Sequence, residues 1–215
     1  MFNVVILFLY VTVVSLLSLG MLRLGREAAC AWLALLAVSM NLFVLKQVEL
    51  FRLHVTASEA LSVGYLLTLN LIQEFYGRTF AKRMVKIIFI STLAFLLLSR
   101  CHLLYQGTGP DYETLLSPLP RLLFASLATF LIVQTIDLSF FSYLREKTHG
   151  RFLVLRTTGT LLLSQTLDTA LFTFLGLWGI VESPWHVIFF SLVIKGVVIA
   201  LQTPFISLSK RVVHV

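Results

Sequence analysis

The sequence predicts an all-α integral membrane protein, a bundle of about seven (six or seven) transmembrane helices. Three observations carry that prediction. Of the 215 residues, 58% are hydrophobic and only 13% are charged, about half the charge of an ordinary soluble domain. The mean hydropathy is +0.93. The apolar residues fall in seven long continuous runs, near 2–22, 28–46, 57–76, 84–104, 120–144, 157–181 and 185–208, each bounded by charge, Pro or Gly. About 20 mainly apolar residues suffice to cross a bilayer as a helix. A β-barrel would instead alternate polar and apolar residues. The runs leave only short loops between them, so residues 1–215 read as a single polytopic domain.

The first run, FNVVILFLYVTVVSLLSLGML (2–22), has no charged n-region and no A-x-A-type cleavage site. It reads as a retained spanning helix, not a signal peptide. Orientation follows from the basic residues. The connections after runs one, three and five and the C-terminal tail hold Arg23, Arg26, Arg78, Lys82, Arg83, Lys86, Arg145, Lys147, Arg151, Arg156, Lys210 and Arg211; the other side holds Lys46, Arg52, Arg100 and Arg121. Twelve against four puts the N-terminus outside and the C-terminus in the cytoplasm. The longest outer loop, QGTGPDYETLLSPLP (106–120), carries three of the five prolines. The net charge of +7 is explained by these loops and anionic headgroups, without nucleic acid. Cys30 and Cys101 lie in apolar context and make neither a disulfide framework nor a metal spacing.

The sixth run carries Asp168 near its middle, and an ionisable residue at that depth is by default a functional hypothesis. FLIVQTIDLSFF (130–141) repeats as LLLSQTLDTALF (161–172), so Gln134, Asp137 and Phe141 correspond to Gln165, Asp168 and Phe172. Spacings of three and four put each trio on one helical face. In helices that cross in opposite directions these faces form an inverted pair, a common way to build a midplane transport site. Lys195 lies at the centre of the last run and faces Asp168 in depth. Glu74 ends the third run one turn after Asn70, Arg156 precedes the sixth, and Lys46 ends the second.

Each has a plainer reading. Lys46, Glu74 and Arg156 are long enough to reach an interface. Glu74 and Arg78 have the i, i+4 spacing of a helix-end ion pair. Asp168 and Lys195 are a candidate structural pair, and Gln134 and Gln165 candidate interhelical bridges. Catalysis and metal binding are disfavoured: the five histidines sit at run ends or in loops, with no ligand spacing, nucleophile elbow or phosphate-binding glycine loop. No cofactor is expected. Nor is a pore, since no filter-like loop is visible. Acceptors, amides and aromatics converging in a helical bundle point to a small-molecule site.

Five blocks then stand out in order: MNLFVLKQVELF (40–51), LIQEFYGRTFAKRMV (71–85), LREKTHGRFLVLR (144–156), SQTLDTALF (164–172) and IKGVVIALQTPF (194–205). Together they resemble the queuosine precursor transporter family, also called the vitamin uptake transporters, over nearly the whole chain. The resemblance implies an importer of the bacterial inner membrane that salvages queuine or related 7-deazaguanine bases for modification of certain tRNAs. Its pattern marks Asn41, Lys46, Glu74, Tyr76, Gly77, Arg156, Ser164, Gln165, Asp168, Thr169, Phe172 and Lys195. With the residue-level candidates Asn70, Gln134 and Asp137, these include the expected substrate-binding set. Asp168 or Glu74 would accept from the guanine-like edge, with Gln165 as amide partner and Phe172 as stacking face. The chain departs from the pattern at Asn70, where the family usually has Asp; at Thr157-Thr158, where it usually has two Asn; and at Arg52, where Gly is common.

The expected partners are a nucleobase substrate and the lipid bilayer, with a homo-oligomer or a separate energising module left open; the chain has no ATP-binding motif. The alternatives are a substrate-binding subunit of a larger energised vitamin transporter, or a non-transporting scaffold whose polar residues serve helix packing.

Overall fold

A computed structural model describes residues 2–44, 46–50, 53–105, 119–179 and 183–213. Among these residues seven long helices and one small hairpin follow in order: α1 (Phe2–Leu24), α2 (Arg26–Phe43), β1 (Gln47–Leu50), β2 (Leu53–Thr56), α3 (Glu59–Tyr76), α4 (Arg78–His102), α5 (Leu119–Lys147), α6 (Leu153–Phe172) and α7 (Pro184–Val212). A π-helical turn, Thr173–Leu177, continues α6. Arg52 and most of the long loop (106–118) lie outside the described residues.

Six of the helices, all but α3, are long and apolar enough to span a membrane. The chain is a multi-pass membrane protein. The six form a closed ring, since α1 packs on α2, α2 on α4, α4 on α5, α5 on α6, α6 on α7 and α7 on α1. Helix α3 stands inside and touches every one of them. Its composition explains the position. It carries Glu59, Ser62, Thr68, Asn70, Gln73 and Glu74, which are costly against lipid but can be bonded by surrounding helices. Thr68 donates to Ser18 of α1 at 2.9 Å; Gln73 donates to Ser142 and the Leu138 carbonyl of α5 at 2.7 and 3.0 Å. Gly64 allows close approach of α1, because a Cβ there would overlap the Val14 side chain. At the far end of α3, Gly77 adopts φ +87°, a conformation that L side chains resist, and this reverses the chain into α4.

Three boundaries differ from the sequence expectation. The second run stops being helical at Phe43, and residues 47–50 and 53–56 pair as antiparallel strands that contact α1 and α7. Lys46 therefore precedes a strand and is exposed; it does not end a helix. The fourth helix begins at Arg78, so Lys82, Arg83 and Lys86 are helical rather than in a loop. The sixth begins at Leu153, so Arg156 is a buried helix residue and not part of a loop. Alternating crossings place the hairpin, the start of α3 and the start of α7 at one end of the bundle. The ends of α3, α5 and α7 lie at the other, with the larger basic group.

Candidate functional site: a cavity around Lys195 beside the hub helix

At the hairpin end the ring opens into a cavity of about 140 Å³. It is lined from α2 (Met40, Asn41), the hairpin (Val55, Thr56), α3 (Glu59, Ser62, Tyr65), α5 (Ser126, Phe130, Gln134), α6 and its π-turn (Asp168, Thr169, Phe172, Leu177) and α7 (Val187, Ser191, Lys195). A water occupies about 30 Å³ of liquid, so the space suits one small molecule.

The charged centre is Lys195, 5% exposed. Its ammonium donates to Asp168 Oδ2 at 3.2 Å and Thr169 Oγ1 at 2.8 Å, and pairs with Glu59 Oε2 at 3.7 Å. Two of its three N–H groups are thus hydrogen-bonded, and the Glu59 carboxylate stands beside them as an ion-pair partner. Glu59 also accepts from Ser191 at 2.8 Å and Thr56 at 3.3 Å through Oε1. Ser191 and Lys195, at i and i+4, share one face of α7. Glu59 opens α3, where the positive end of the helix dipole favours a carboxylate.

Asp168 differs from Glu59: a third of its side chain is exposed, and Lys195 alone pairs with it among the described residues. The Gln134 carbonyl and the Tyr65 hydroxyl are both buried in the cavity wall without a hydrogen-bond partner among the described residues. Tyr65 meets Phe130 with ring centroids 6.0 Å apart, and Phe172 lies across the cavity lining on α6. Asn41 is turned to structure: its amide donates to the Ala37 carbonyl at 2.8 Å and its carbonyl accepts from Ser126 at 2.9 Å, which ties α2 to α5.

Deeper in the bundle, Asp137 is fully buried, accepts from Ser164 at 2.5 Å and has the Asn70 amide alongside. Gln165 is bonded through its carbonyl by Ser62 at 3.2 Å. Neither Asp137, Asn70 nor Gln165 lines the cavity. The repeated trios therefore face different surroundings: Phe172 borders the cavity, while Phe141 lies under Arg156, 5.3 Å from its guanidinium.

At the opposite end Arg156 grips Glu74 through two hydrogen bonds of 3.1 and 3.0 Å. It also donates to the carbonyls of Arg151 at 2.9 Å and Gly150 at 3.2 Å. Arg145 adds an ion pair to Glu74 at 3.4 Å. The local Glu74–Arg78 pair that spacing suggests does not form; Arg78 donates to Ser139 at 3.3 Å. Of the sequence-nominated residues, the fold gathers Asn41, Gln134, Asp168, Phe172 and Lys195 around the cavity. It assigns Glu74 and Arg156 to this separate plug, and leaves Lys46 outside both. Glu59, Tyr65, Phe130 and Ser191 are cavity residues that the sequence reading did not nominate. The one available signal was an acidic residue, Glu59, at the start of a membrane run.

Residues 57–209 match the family described as "Putative vitamin uptake transporter". The chain is also 28% identical over 197 residues to a protein of Bacillus subtilis (strain 168) named "Probable queuosine precursor transporter", covering 88% of this chain and 86% of that one. No solved structure matches it. The family match runs from the entry of the hub helix almost to the end of α7, and so takes in both charged centres: the chain belongs to the vitamin uptake transporter family.

Proposed function

We propose that this protein imports a queuosine precursor, a 7-deazaguanine base, across the bacterial cytoplasmic membrane, with the cavity around Lys195 as its binding site. The observation that carries this reading is the state of Lys195. It donates to Asp168 and Thr169 and pairs with the Glu59 carboxylate at 3.7 Å, so two carboxylates already neutralise its charge before any anionic cargo arrives. The cavity offers a cargo acceptors: the partly exposed Asp168 carboxylate and the unpartnered Gln134 carbonyl. A guanine-like base presents a ring N–H and an exocyclic amine on one edge, which suits a carboxylate. Tyr65, Phe130 and Phe172 supply aromatic faces, and stacking contributes about 1–3 kcal/mol per base in other nucleobase sites. A carboxylate-bearing vitamin would meet two carboxylates and a lysine already paired with both.

In this scheme Asp168 takes the donor edge and Gln134 replaces Gln165 as the amide partner, because Gln165 stands behind the wall bonded to Ser62. Glu74 is withdrawn from base recognition by Arg156. The basic end, which holds the plug, faces the cytoplasm, so the cavity is reached from outside. The protein carries out no covalent chemistry on its cargo.

Complementation tests the reading. A bacterium unable to make or import queuosine precursors is given this chain and each deazaguanine base in turn, and its tRNA is scored for queuosine. Rescue by wild type and none by Asp168→Asn at equal membrane abundance is expected. No rescue with any base, despite normal membrane expression, would overturn it.

A further inference from the structure

The hub helix is not held equally on all sides. It packs least extensively on α5 and α6, and more closely on α1, α2, α4 and α7. On α5 a stripe at spacings of three and four, Phe130, Gln134, Asp137, Phe141 and Arg145, runs along one helical face from the cavity to the plug. Ser62 of α3 bonds Gln165 of α6 at the cavity floor. Further towards the basic end, Asp137 of α5 accepts from Ser164 of α6, and the Asn70 amide of α3 lies alongside without the geometry of a hydrogen bond. One turn beyond Asn70 stands Glu74, held by Arg156 from α6 and Arg145 from α5. Cavity wall, polar node and plug thus lie in sequence along one seam between α3, α5 and α6. The node is buried but poorly satisfied: Asp137 Oδ2, the Gln165 amide nitrogen and the Thr157 hydroxyl, like the Asn70 amide, have no hydrogen-bond partner among the described residues. Such groups are costly to keep dry, and a surface that is wetted in a second state accounts for them.

We infer that the α3–α5–α6 seam is the cytoplasmic half of the transport path, lined by Asn70, Asp137 and Ser164, with Glu74, Arg145 and Arg156 as the gate at its foot. This rests on the transport reading but not on the identity of the cargo. Helices α5 and α6 pack closely on each other, so release of the gate lets them leave the hub as one unit and opens the seam from the cavity floor to the basic end. The opposite side of the hub is built to stay shut. There Thr68, two residues from Asn70 and so at the same depth, donates to Ser18, which also accepts from Trp32 at 2.9 Å, and Gly64 lets Val14 close against the helix. Gln202 of α7 is unpartnered on that side too, which makes it the discriminating control.

Thiol accessibility tests the path. In the full-length chain carrying Cys30→Ser and Cys101→Ser, which removes both native thiols, single cysteines are introduced by Ser164→Cys or Thr160→Cys on the seam and by Ser18→Cys or Gln202→Cys on the opposite side, all at buried positions. A membrane-impermeant methanethiosulfonate is then added to inside-out membrane vesicles, whose outer surface is the cytoplasmic face. Arg156→Lys, which loosens the gate, should speed labelling at both seam sites by about tenfold or more and leave both control sites within about threefold of their rates with the gate intact. Glu74→Gln, which releases the gate from the other partner, should do the same, so the result does not hang on the folding of one variant. Seam sites that stay as slow in both gate variants as with the gate intact would overturn the inference. So would equal acceleration at Ser18→Cys and Gln202→Cys, which would mean that the whole bundle loosens, or faster labelling there, which would move the path to the α1–α7 side. The labelling needs no cargo, so it is decided separately from the base reading, which stands or falls by complementation.

Discussion

The hub helix carries a glutamate near each end, and each meets a cation from a ring helix, but the two sites are built for different work. Glu59 and Glu74 are fifteen positions apart on α3, about 22 Å along the axis. Glu74 is held by an arginine in a planar two-bond grip, with two backbone carbonyls and an aromatic ring completing the guanidinium's surroundings. That geometry fixes both partners. Glu59 is held by a lysine, a compact point charge shared with Asp168 and Thr169 and bordering a cavity. Arg156 is 1% exposed, whereas a third of the Asp168 side chain is open. One cluster ties α3, α5 and α6 together at an end of the bundle, and the other borders a cavity with acceptors in its wall. Under the proposed function these become a closed gate and a binding site.

The sharpest break of this contrast is at the plug. Arg156→Ala leaves Glu74 with the single, half-exposed Arg145 in a buried setting, and should cost about 3–5 kcal/mol, measured as a large fall in the thermal midpoint of the purified protein. Arg156→Lys keeps the charge but loses the paired grip, so a smaller fall with cargo binding preserved is expected.

Next comes the packing that holds the hub in place. Gly64→Ala sets a methyl group against Val14 and should cost about 1–3 kcal/mol. The Val14→Ala change in the same chain should restore most of the midpoint, and an absence of rescue would mean that α1 and α3 do not meet there.

The cavity should respond in the opposite sense to the plug. Asp168→Asn, at a partly exposed position, should change the thermal midpoint little while weakening base binding by about tenfold or more. Gln134→Ala removes one neutral acceptor and should weaken binding by about threefold to tenfold, read from the same isotherms.

Much of the bundle was legible because lipid imposes one simple demand, a long apolar helix for every crossing. The seven runs reappear as α1–α7 with ends shifted by a few residues. The hairpin was not legible: QVEL and LHVT are short strands beside a membrane run, and their apolar residues extend its hydropathy. The hub position of α3 shows in sequence only as an excess of polar residues over its neighbours, and nothing local says which helices will cover them. The Lys195–Asp168 pair was foreseeable from matching depth in antiparallel neighbours. The Glu74–Arg156 pair, 82 residues apart, was not. Spacing favoured Arg78, one turn away, and the distant partner wins because it is buried and bonds with both arms. Glu59 escaped for a similar reason: it stands at the start of its run, where a charge ordinarily reaches water, and its cation comes from α7.

The division of labour between the two clusters is tested most directly by binding of a labelled queuosine precursor to purified wild type, Asp168→Asn and Arg156→Lys, each first shown to be folded. Saturable binding by wild type and Arg156→Lys, with at least about tenfold weaker binding by Asp168→Asn, is the expected result. Binding that is lost in folded Arg156→Lys and intact in Asp168→Asn would contradict it, moving the site from the cavity to the plug.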